Sequence, residues 1–196
     1  MQFNPAFATN TACFAYFRNT NGGRMSMFAI SDEAGTNYGS SNIKSFIDFG
    51  SNGGSVDILT DRFYMTRDRK LLNGDPNFQG QLYMGKGIID ANTAILGYQE
   101  FTGRSTNTAV YRGYCQASIT VSNTAVFKVN DTLELGYATE TDSLAEPWEN
   151  RGVINIGPGG TVRANTILYG GPAKVSAGSA INMTAGATLI VSNTVA

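Results

Sequence analysis

Residues 153–164 read Val-Ile-Asn-Ile-Gly-Pro-Gly-Gly-Thr-Val-Arg-Ala, and this stretch decides the fold. Apolar residues alternate with polar ones on both sides of the Gly-Pro-Gly-Gly segment at 157–160. Alternation with a period of two, bounded by Gly and Pro, indicates two short β-strands joined by a turn. The two strands share an apolar face that a single strand–turn–strand unit cannot bury.

The same unit recurs between residues 45 and 196. Its first strands fall at residues 47–49, 82–84, 119–121, 154–156 and 181–183. Its second strands fall at residues 56–58, 89–91, 127–129, 162–164 and 189–191. Each copy continues into a third apolar strand, at residues 63–65, 95–98, 133–137, 167–170 and, truncated, 195. The last residues of the second strands are 33, 38, 35 and 27 residues apart, so one corner of the unit accepts insertions.

Aligned copies predict columns of equivalent side chains. The outward column of the second strands contains Asp57, Asp90, Lys128, Arg163 and Ile190. We expect Asp90 to lie beside Lys128 in a surface ladder of weak ion pairs; a ligand-binding face is the alternative interpretation of this column. Directly after the second strands come Asn92, Asn130, Asn165 and Ser192. Because Asn tolerates left-handed backbone and bonds its own turn, these residues are interpreted as a structural Asn ladder.

Stacked three-strand units predict an all-β fold, specifically a right-handed parallel β-helix (β-solenoid) with three strands per rung. The rungs of such a coil lie about 4.8 Å apart. A β-sandwich is the weaker alternative, because its antiparallel hairpins give no reason for a recurring three-strand unit. We assign residues 46–196 to a solenoid of about five rungs, with an open C-terminal rung.

Residues 1–45 fit the repeat poorly and carry many aromatic side chains. Strands are predicted at 13–17 and 25–30, joined by a turn at 19–23, and a loop is predicted at 31–42. Terminal units of repeat proteins are atypical because they shield the core, so this segment is interpreted as an aromatic-rich N-terminal cap. A binding platform of exposed aromatic residues is the alternative.

Composition excludes several classes of function. The net charge is −1, so no basic surface suggests nucleic acid, and the absence of His removes the usual general base and metal ligand. Cys13 and Cys115 form no metal-binding spacing, and either a disulfide or two free thiols is compatible with them. No apolar run of about 18 residues is present, so we expect no membrane insertion. We also predict no cofactor and no metal.

Insertions between the third strand and the next first strand define the candidate binding corner. They cover residues 66–80, 99–116, 138–151 and 171–178. Loops on a rigid scaffold are where binding usually resides. The candidate binding residues are Trp148, Glu146, Glu149, Tyr98 and Tyr137, because an exposed Trp beside carboxylates suits stacking on a sugar ring. The alternative is a loop that folds back and buries Trp148.

No catalytic residue is assigned. Asp57 and Asp90 on adjacent rungs approach the carboxylate separation of glycosidases, but any chain with 15 acidic residues offers such pairs. Residues 53–57 match only part of a calcium-binding nonapeptide, because the second pair of Gly is missing.

Four segments carry a family resemblance. Residues 89–98 and 130–137 read Ile-Asp-Ala-Asn-Thr-Ala-Ile-Leu-Gly-Tyr and Asn-Asp-Thr-Leu-Glu-Leu-Gly-Tyr. Residues 159–167 and 185–195 read Gly-Gly-Thr-Val-Arg-Ala-Asn-Thr-Ile and Ala-Gly-Ala-Thr-Leu-Ile-Val-Ser-Asn-Thr-Val. Through them the chain resembles bacterial surface β-helix proteins, namely autotransporter passenger domains and autotransporter-associated β-strand repeat proteins. The resemblance implies secretion and an adhesive, scaffolding or surface-display role, although no signal peptide is recognised.

The expected function is therefore a non-enzymatic, extracellular or cell-surface structural or adhesive module. Its open C-terminal rung is expected to be continued by further rungs or by a second copy, which would give a head-to-tail fibre. A polysaccharide is a candidate partner. The alternative is a carbohydrate-active enzyme or glycan-binding spike around Trp148, although the Gly-His-Gly signature of β-helix hydrolases is impossible without His. A tail-fibre fragment, which would be a parallel trimer, is a third alternative.

Overall fold

The computed structural model describes residues 14–33, 42–50, 53–68, 77–99, 114–138, 150–170 and 178–196. These residues form an all-β structure without helices, as predicted. The ten strands are β1 (Phe14–Phe17), β2 (Met25–Glu33), β3 (Asn42–Phe49), β4 (Ser55–Asp68), β5 (Asn77–Gln99), β6 (Tyr114–Ala138), β7 (Arg151–Ile156), β8 (Thr161–Tyr169), β9 (Ala180–Met183) and β10 (Thr188–Val195).

Every strand pairing in the described chain is parallel, and the pairings form two ladders. The short ladder runs from β3 through the N-terminal halves of β5 and β6 to β7 and β9. The long ladder runs from β1 and β2 through β4 and the C-terminal halves of β5 and β6 to β8 and β10. A strand therefore pairs with the equivalent strand of the next repeat rather than with its neighbour in sequence.

The predicted alignment of the first strands is correct in all five copies. In the short ladder, Ile47, Leu82, Ile119, Ile154 and Ile181 follow one another in register. The second strands are also correctly aligned from the second copy onward, since Ala91, Val129, Ala164 and Val191 share one position. Most side chains on the shared apolar face are fully buried, as the period of two requires.

The predicted alignment of the first copy is wrong by two residues in the second strand. Ile58 pairs with Ile89 rather than with Ala91, so these repeats are 31 residues apart instead of 33. Asp57 consequently pairs with Ile88 and lies outside the Asp90 column.

The cause of this error is the period of the strand itself. A shift by two residues leaves every side chain on its original face, so alternation alone cannot detect it. The sequence pattern places Gly87 in a turn between the predicted strands 82–84 and 89–91, but Gly87 is a strand residue that pairs with Val56. A Cβ at Gly87 would lie 2.0 Å from the Val56 carbonyl oxygen, so this close approach requires glycine.

The N-terminal segment extends the long ladder by one more level. β1 and β2 are the predicted strands, and the turn between them is closed by hydrogen bonds between Asn19 and Gly22 and between Asn19 and Gly23. β1 pairs in register with the second strand of the next repeat, and β2 pairs with its third strand. Phe17 and Phe28 pack against the core, whereas Phe14 and Tyr16 are exposed.

A column of left-handed residues interrupts the third strands. In five successive copies, the residue at one equivalent position of the third strand has a positive φ, between 56° and 78°. These residues are Ser31, Thr66, Gly97, Gly136 and Gly170. The bend that they create explains the repeated Leu-Gly-Tyr sequence, because glycine adopts this conformation without steric cost. The strand continues after the bend, which brings Tyr98 into register with Tyr137.

The corner between the first and second strands is formed by stacked turns. In residues 157–160, Gly160 donates to the Gly157 carbonyl, and Gly159 has a φ of 72°. Pro158 followed by a left-handed glycine is typical of a type II turn. Residues 184–187 form the same hydrogen bond one repeat later, and the Gly159 N–H donates to the Gly186 carbonyl.

Candidate functional site

The predicted insertion corner is only partly described by the structure. Trp148, Glu146 and Glu149 lie outside the described residues, as does Cys13. The strands reach further into the predicted insertions than expected, because β4 continues to Asp68, β5 starts at Asn77 and β6 starts at Tyr114. The described part of the corner therefore consists of strand ends.

Tyr98 and Tyr137 are brought together with a third tyrosine, Tyr64. The ring centroids of Tyr98 and Tyr137 are 5.1 Å apart, and those of Tyr64 and Tyr98 are 5.8 Å apart. The three rings lie on successive repeats; those of Tyr64 and Tyr98 are stacked, and those of Tyr98 and Tyr137 are tilted by 43°. A sugar stacks on a free aromatic face, so this tyrosine stack is better suited to stiffening the strands than to presenting a flat platform.

An arginine closes the N-terminal end of the tyrosine stack. The Arg67 guanidinium lies 4.1 Å from the centroid of the Tyr64 ring. Two hydrogen bonds of 2.8 Å join Arg67 to both carboxylate oxygens of Asp32. Both side chains are largely buried, so the pair fixes β2 onto β4 with bidentate geometry.

Buried polar side chains lie where the third strand meets the next first strand. Asn150 donates from Nδ2 to the Gln99 side-chain oxygen at 3.0 Å, and its own oxygen accepts from the Cys115 backbone N–H at 3.2 Å. The Gln99 Nε2 atom is buried without a hydrogen-bond partner. Burial raises the pKa of the Cys115 thiol, and the nearby Asp68 carboxylate raises it further, so this thiol is unsuited to nucleophilic chemistry.

The outward face of the second strands carries a network centred on Asp90. Lys128 lies beside Asp90 as predicted, with a 2.9 Å ion pair, and Arg24 forms a second ion pair. Burial by itself would raise the pKa of Asp90. The hydrogen bonds from Arg24, Lys128 and Asn130 outweigh burial and hold this pKa below its ordinary value. Asp57 is bound separately by Arg18 and lies two residues out of register with Asp90 on the adjacent strand.

The Asn ladder is partly visible as side-chain hydrogen bonds. Asn130 donates to the Asn92 side-chain oxygen at 3.1 Å, and Asn92 donates to Asp61 at 2.9 Å. The strand register shifts at this position after Ala91 and after Val129, so the Asn residues mark a corner. Asn165 and Ser192 occupy the equivalent positions of the last two repeats.

Two features of the outward faces were missed by the sequence reasoning. Asn155 and Asn182, at equivalent positions of the first strands, form a second amide ladder with a 2.9 Å bond. Glu134 lies between Ile95 and Leu168, and its Oε2 atom is buried without a hydrogen-bond partner. Burial therefore raises the pKa of Glu134. The third-strand alignment contained the signal, because a lone acid falls in an apolar column.

The described residues contain neither a metal-binding cluster nor a membrane-spanning helix. No group of three or more acidic, Cys or His residues is arranged to hold a metal ion there. The same part of the chain has no helix with the length and apolar character of a membrane span.

Comparison with protein-family models, curated proteins and solved structures gives no match in any of the three.

Proposed function

We propose that the chain is a right-handed parallel β-solenoid that serves as a non-enzymatic, extracellular structural or adhesive module. The observation that carries this proposal is the in-register parallel pairing of equivalent strands over successive repeats. Long parallel ladders of this kind suit a rigid support better than they suit a concave catalytic pocket.

Close contacts between the two ladders favour a closed, three-sided rung. A Cβ at Gly97 would lie 2.6 Å from the Arg151 carbonyl oxygen, and a Cβ at Gly152 would lie 2.7 Å from that of Leu96. Gly97 belongs to a third strand of the long ladder, whereas Gly152 belongs to a first strand of the short ladder. The end of the third strand thus touches the start of the first strand, as a triangular coil requires.

Aromatic contacts across the interior support the same closure. The Phe17 ring contacts Phe28 at a centroid distance of 5.1 Å and Phe49 at 6.4 Å. The three residues come from a second, a third and a first strand, so side chains from all three sides meet. A right-handed coil is favoured because crossover connections between parallel strands are almost always right-handed.

The support for a structural role comes from how the outward polar groups are used. Asp90, Asp57 and Asp32 are each bound by arginine, and the amide ladders bond across repeats. These groups stiffen the described faces, and the predicted insertions each follow a third strand in the sequence. The extracellular, adhesive part of the proposal rests on the resemblance of residues 45–196 to bacterial surface repeat proteins.

Closure of the rung is tested by Gly152→Ala, with Gly23→Ala as the matched control. The new methyl group at 152 meets backbone of the facing strand, so we expect a loss of about 2–3 kcal/mol in the free energy of unfolding. At Gly23 the methyl group meets only the side-chain amide of exposed Asn19, and we expect a loss below about 1 kcal/mol. Equal effects in urea unfolding would contradict closure.

The non-enzymatic role is tested with a panel of polysaccharides. The purified chain should release no reducing sugar from these polysaccharides. Retention of the fluorescently labelled chain on a polysaccharide or on cell surfaces would support adhesion. Release of reducing sugars that is lost in Glu146→Gln or Glu149→Gln would overturn the proposal and favour the enzyme around Trp148.

A further inference from the structure

Among the described residues, the exposed large apolar side chains lie near the two ends of the ladders. Within the described residues, none of them lies on the four middle strands, β4 to β7. Those near the N-terminal end are Phe14, Tyr16, Met27 and Phe46, and those near the C-terminal end are Tyr169, Met183, Ile190 and Val195. The outward faces of the middle repeats are polar or half-buried, so among the described residues large apolar side chains are exposed only on strands near the two ends of the ladders.

The C-terminal edge lacks the usual protection of an exposed strand. Natural edge strands carry charged residues or proline to block pairing, whereas residues 178–196 contain neither. Leu189 and Val191 are only partly buried, while Val162 and Ala164, one repeat earlier, are 0% and 3% exposed. A further strand beyond β10 would complete the burial of these two core residues.

Backbone groups of β10 that have no strand partner among the described residues also point toward the C-terminal edge. The Thr188 N–H donates to the Gly160 carbonyl on the preceding repeat. Because successive residues of a strand direct their backbone groups to opposite sides, Leu189 and Val191 direct theirs toward the open edge. β10 therefore offers an extended parallel template of the kind that adds another strand.

The N-terminal edge matches this template in chemistry. β1 pairs with β4 on one side, and among the described residues no strand pairs with its other side. Tyr16 and Phe17 lie in the same columns as Thr188 and Leu189, and Phe28 lies in the same column as Val195. The C-terminal end (the tail) is apolar and uncharged, and the N-terminal end (the head) has apolar residues in the same columns.

We propose that a second copy of this chain binds head-to-tail, with β1 and β2 of one copy pairing in parallel with β10 of the other. This inference rests on the proposed solenoid. Leu189 then lies beside Phe17, Val195 beside Phe28, and Ile190 beside Arg18. Because the two surfaces are different and the contact does not close on itself, repeated association gives open-ended filaments.

The register makes a charge-specific test available at Ile190. Ile190→Lys places a second cation beside Arg18 of the next copy, whereas Ile190→Glu places an anion there. We expect the Lys variant to assemble at a concentration at least about tenfold higher than the Glu variant, as measured by sedimentation velocity. Matched controls are Thr124→Lys and Thr124→Glu on the exposed middle of β6, and these should assemble like the parent chain.

Mixing experiments separate head-to-tail contact from tail-to-tail contact. Tyr16→Pro removes a backbone N–H at the head, and Ile190→Lys blocks the tail. Each variant alone should be monomeric, and an equimolar mixture should form a dimer that does not grow. Equal weakening by Lys and Glu at 190, or a dimer of Tyr16→Pro alone, would overturn the proposal. If the parent chain stays monomeric and Gly152→Ala loses stability as expected, the head-to-tail assembly is contradicted and the proposed solenoid is not.

Discussion

Asp90 and Glu134 are two carboxylates on outward strand faces, and their surroundings affect them in opposite ways. Asp90 accepts hydrogen bonds from Arg24, Lys128 and Asn130. Glu134 lies between two apolar neighbours and has a buried oxygen without a partner. The same residue class therefore stabilises the fold at one position and costs stability at the other.

Asp90→Asn should lower the free energy of unfolding at pH 7 by about 1–2 kcal/mol, because charge-assisted hydrogen bonds are lost. The pKa of Asp90 is lowered in the folded state, so its contribution is present above the unfolded pKa of about 3.9 and is lost as the pH falls through the folded value. Urea unfolding at pH 7 and pH 3 checks this. A difference between parent and variant that is undiminished at pH 3 would contradict it.

Glu134→Gln should have the opposite sign and raise the free energy of unfolding at pH 7 by about 1 kcal/mol. The pKa of Glu134 is raised in the folded state, so stability falls as the pH rises from the unfolded pKa of about 4.3 through the folded value. The gain should therefore disappear near pH 3. Asp131→Asn, at an exposed acid on the same strand, is the control and should change little at either pH.

Sequence reasoning identified Asp90 beside Lys128 because both lie at outward positions of aligned strands. It did not identify Arg24 as a partner, because Arg24 comes from the turn after β1 and lies 66 residues away from Asp90. Long side chains that reach across repeats leave no periodic signal.

At the scale of elements, the first-to-second-strand corner depends on stacked glycines. Gly159 has a φ of 72°, and a Cβ there would lie 2.2 Å from the Asn123 carbonyl oxygen on the neighbouring repeat. Gly53 has a similar φ of 78°, but nothing lies within 4 Å of its Cβ position. A comparison of substitutions at these two glycines therefore separates the cost of a left-handed backbone from the cost of a steric clash between stacked turns.

Gly159→Ala should therefore cost more stability than Gly53→Ala. We expect about 1 kcal/mol at Gly53, from the left-handed backbone alone, and about 3 kcal/mol or more at Gly159. Thermal and urea unfolding measure both. Comparable losses would mean that the corners of successive repeats are not in contact.

The register of the elements was predictable where loops and strands kept a constant pattern. The first strands were aligned correctly because each has two large apolar residues followed by a turn. The second strand of the first copy was misaligned because Gly87 resembles a turn residue and a two-residue shift preserves both faces. A glycine needed for close strand approach cannot be distinguished from a turn glycine without the neighbouring chain.

At the scale of the whole molecule, burial decreases toward the C-terminal end. Core residues of β4 to β6 are almost all fully buried, whereas most residues of β9 and β10 are exposed. Repeat structures open most easily from ends that have one neighbour instead of two.

Amide hydrogen exchange of the monomeric Ile190→Lys variant should follow this gradient. We expect the strongest protection in the long-ladder halves of β5 and β6 and the weakest in β9 and β10. In filaments of the parent chain, β10 should be better protected against amide hydrogen exchange than in the monomer. Uniform protection along the monomer would contradict a linear arrangement of repeats.

The class of the architecture was predictable from the sequence. Parallel all-β structure followed from the repeat, and β1 and β2, which lie in the predicted cap, continue the long ladder. The seven residues between β1 and β2 replace the short corner of the other repeats, and this longer connection hid the match.

The central claim is that first, second and third strands close around one interior. The most direct measurement is the nuclear Overhauser contacts between the Phe rings in the Ile190→Lys monomer. The account predicts contacts from Phe17 to Phe28 and from Phe17 to Phe49, with centroid distances of 5.1 and 6.4 Å. Contacts found only along a ladder, such as Phe28 to Phe63, with none from Phe17 to Phe49, would describe an open sheet and would contradict the account.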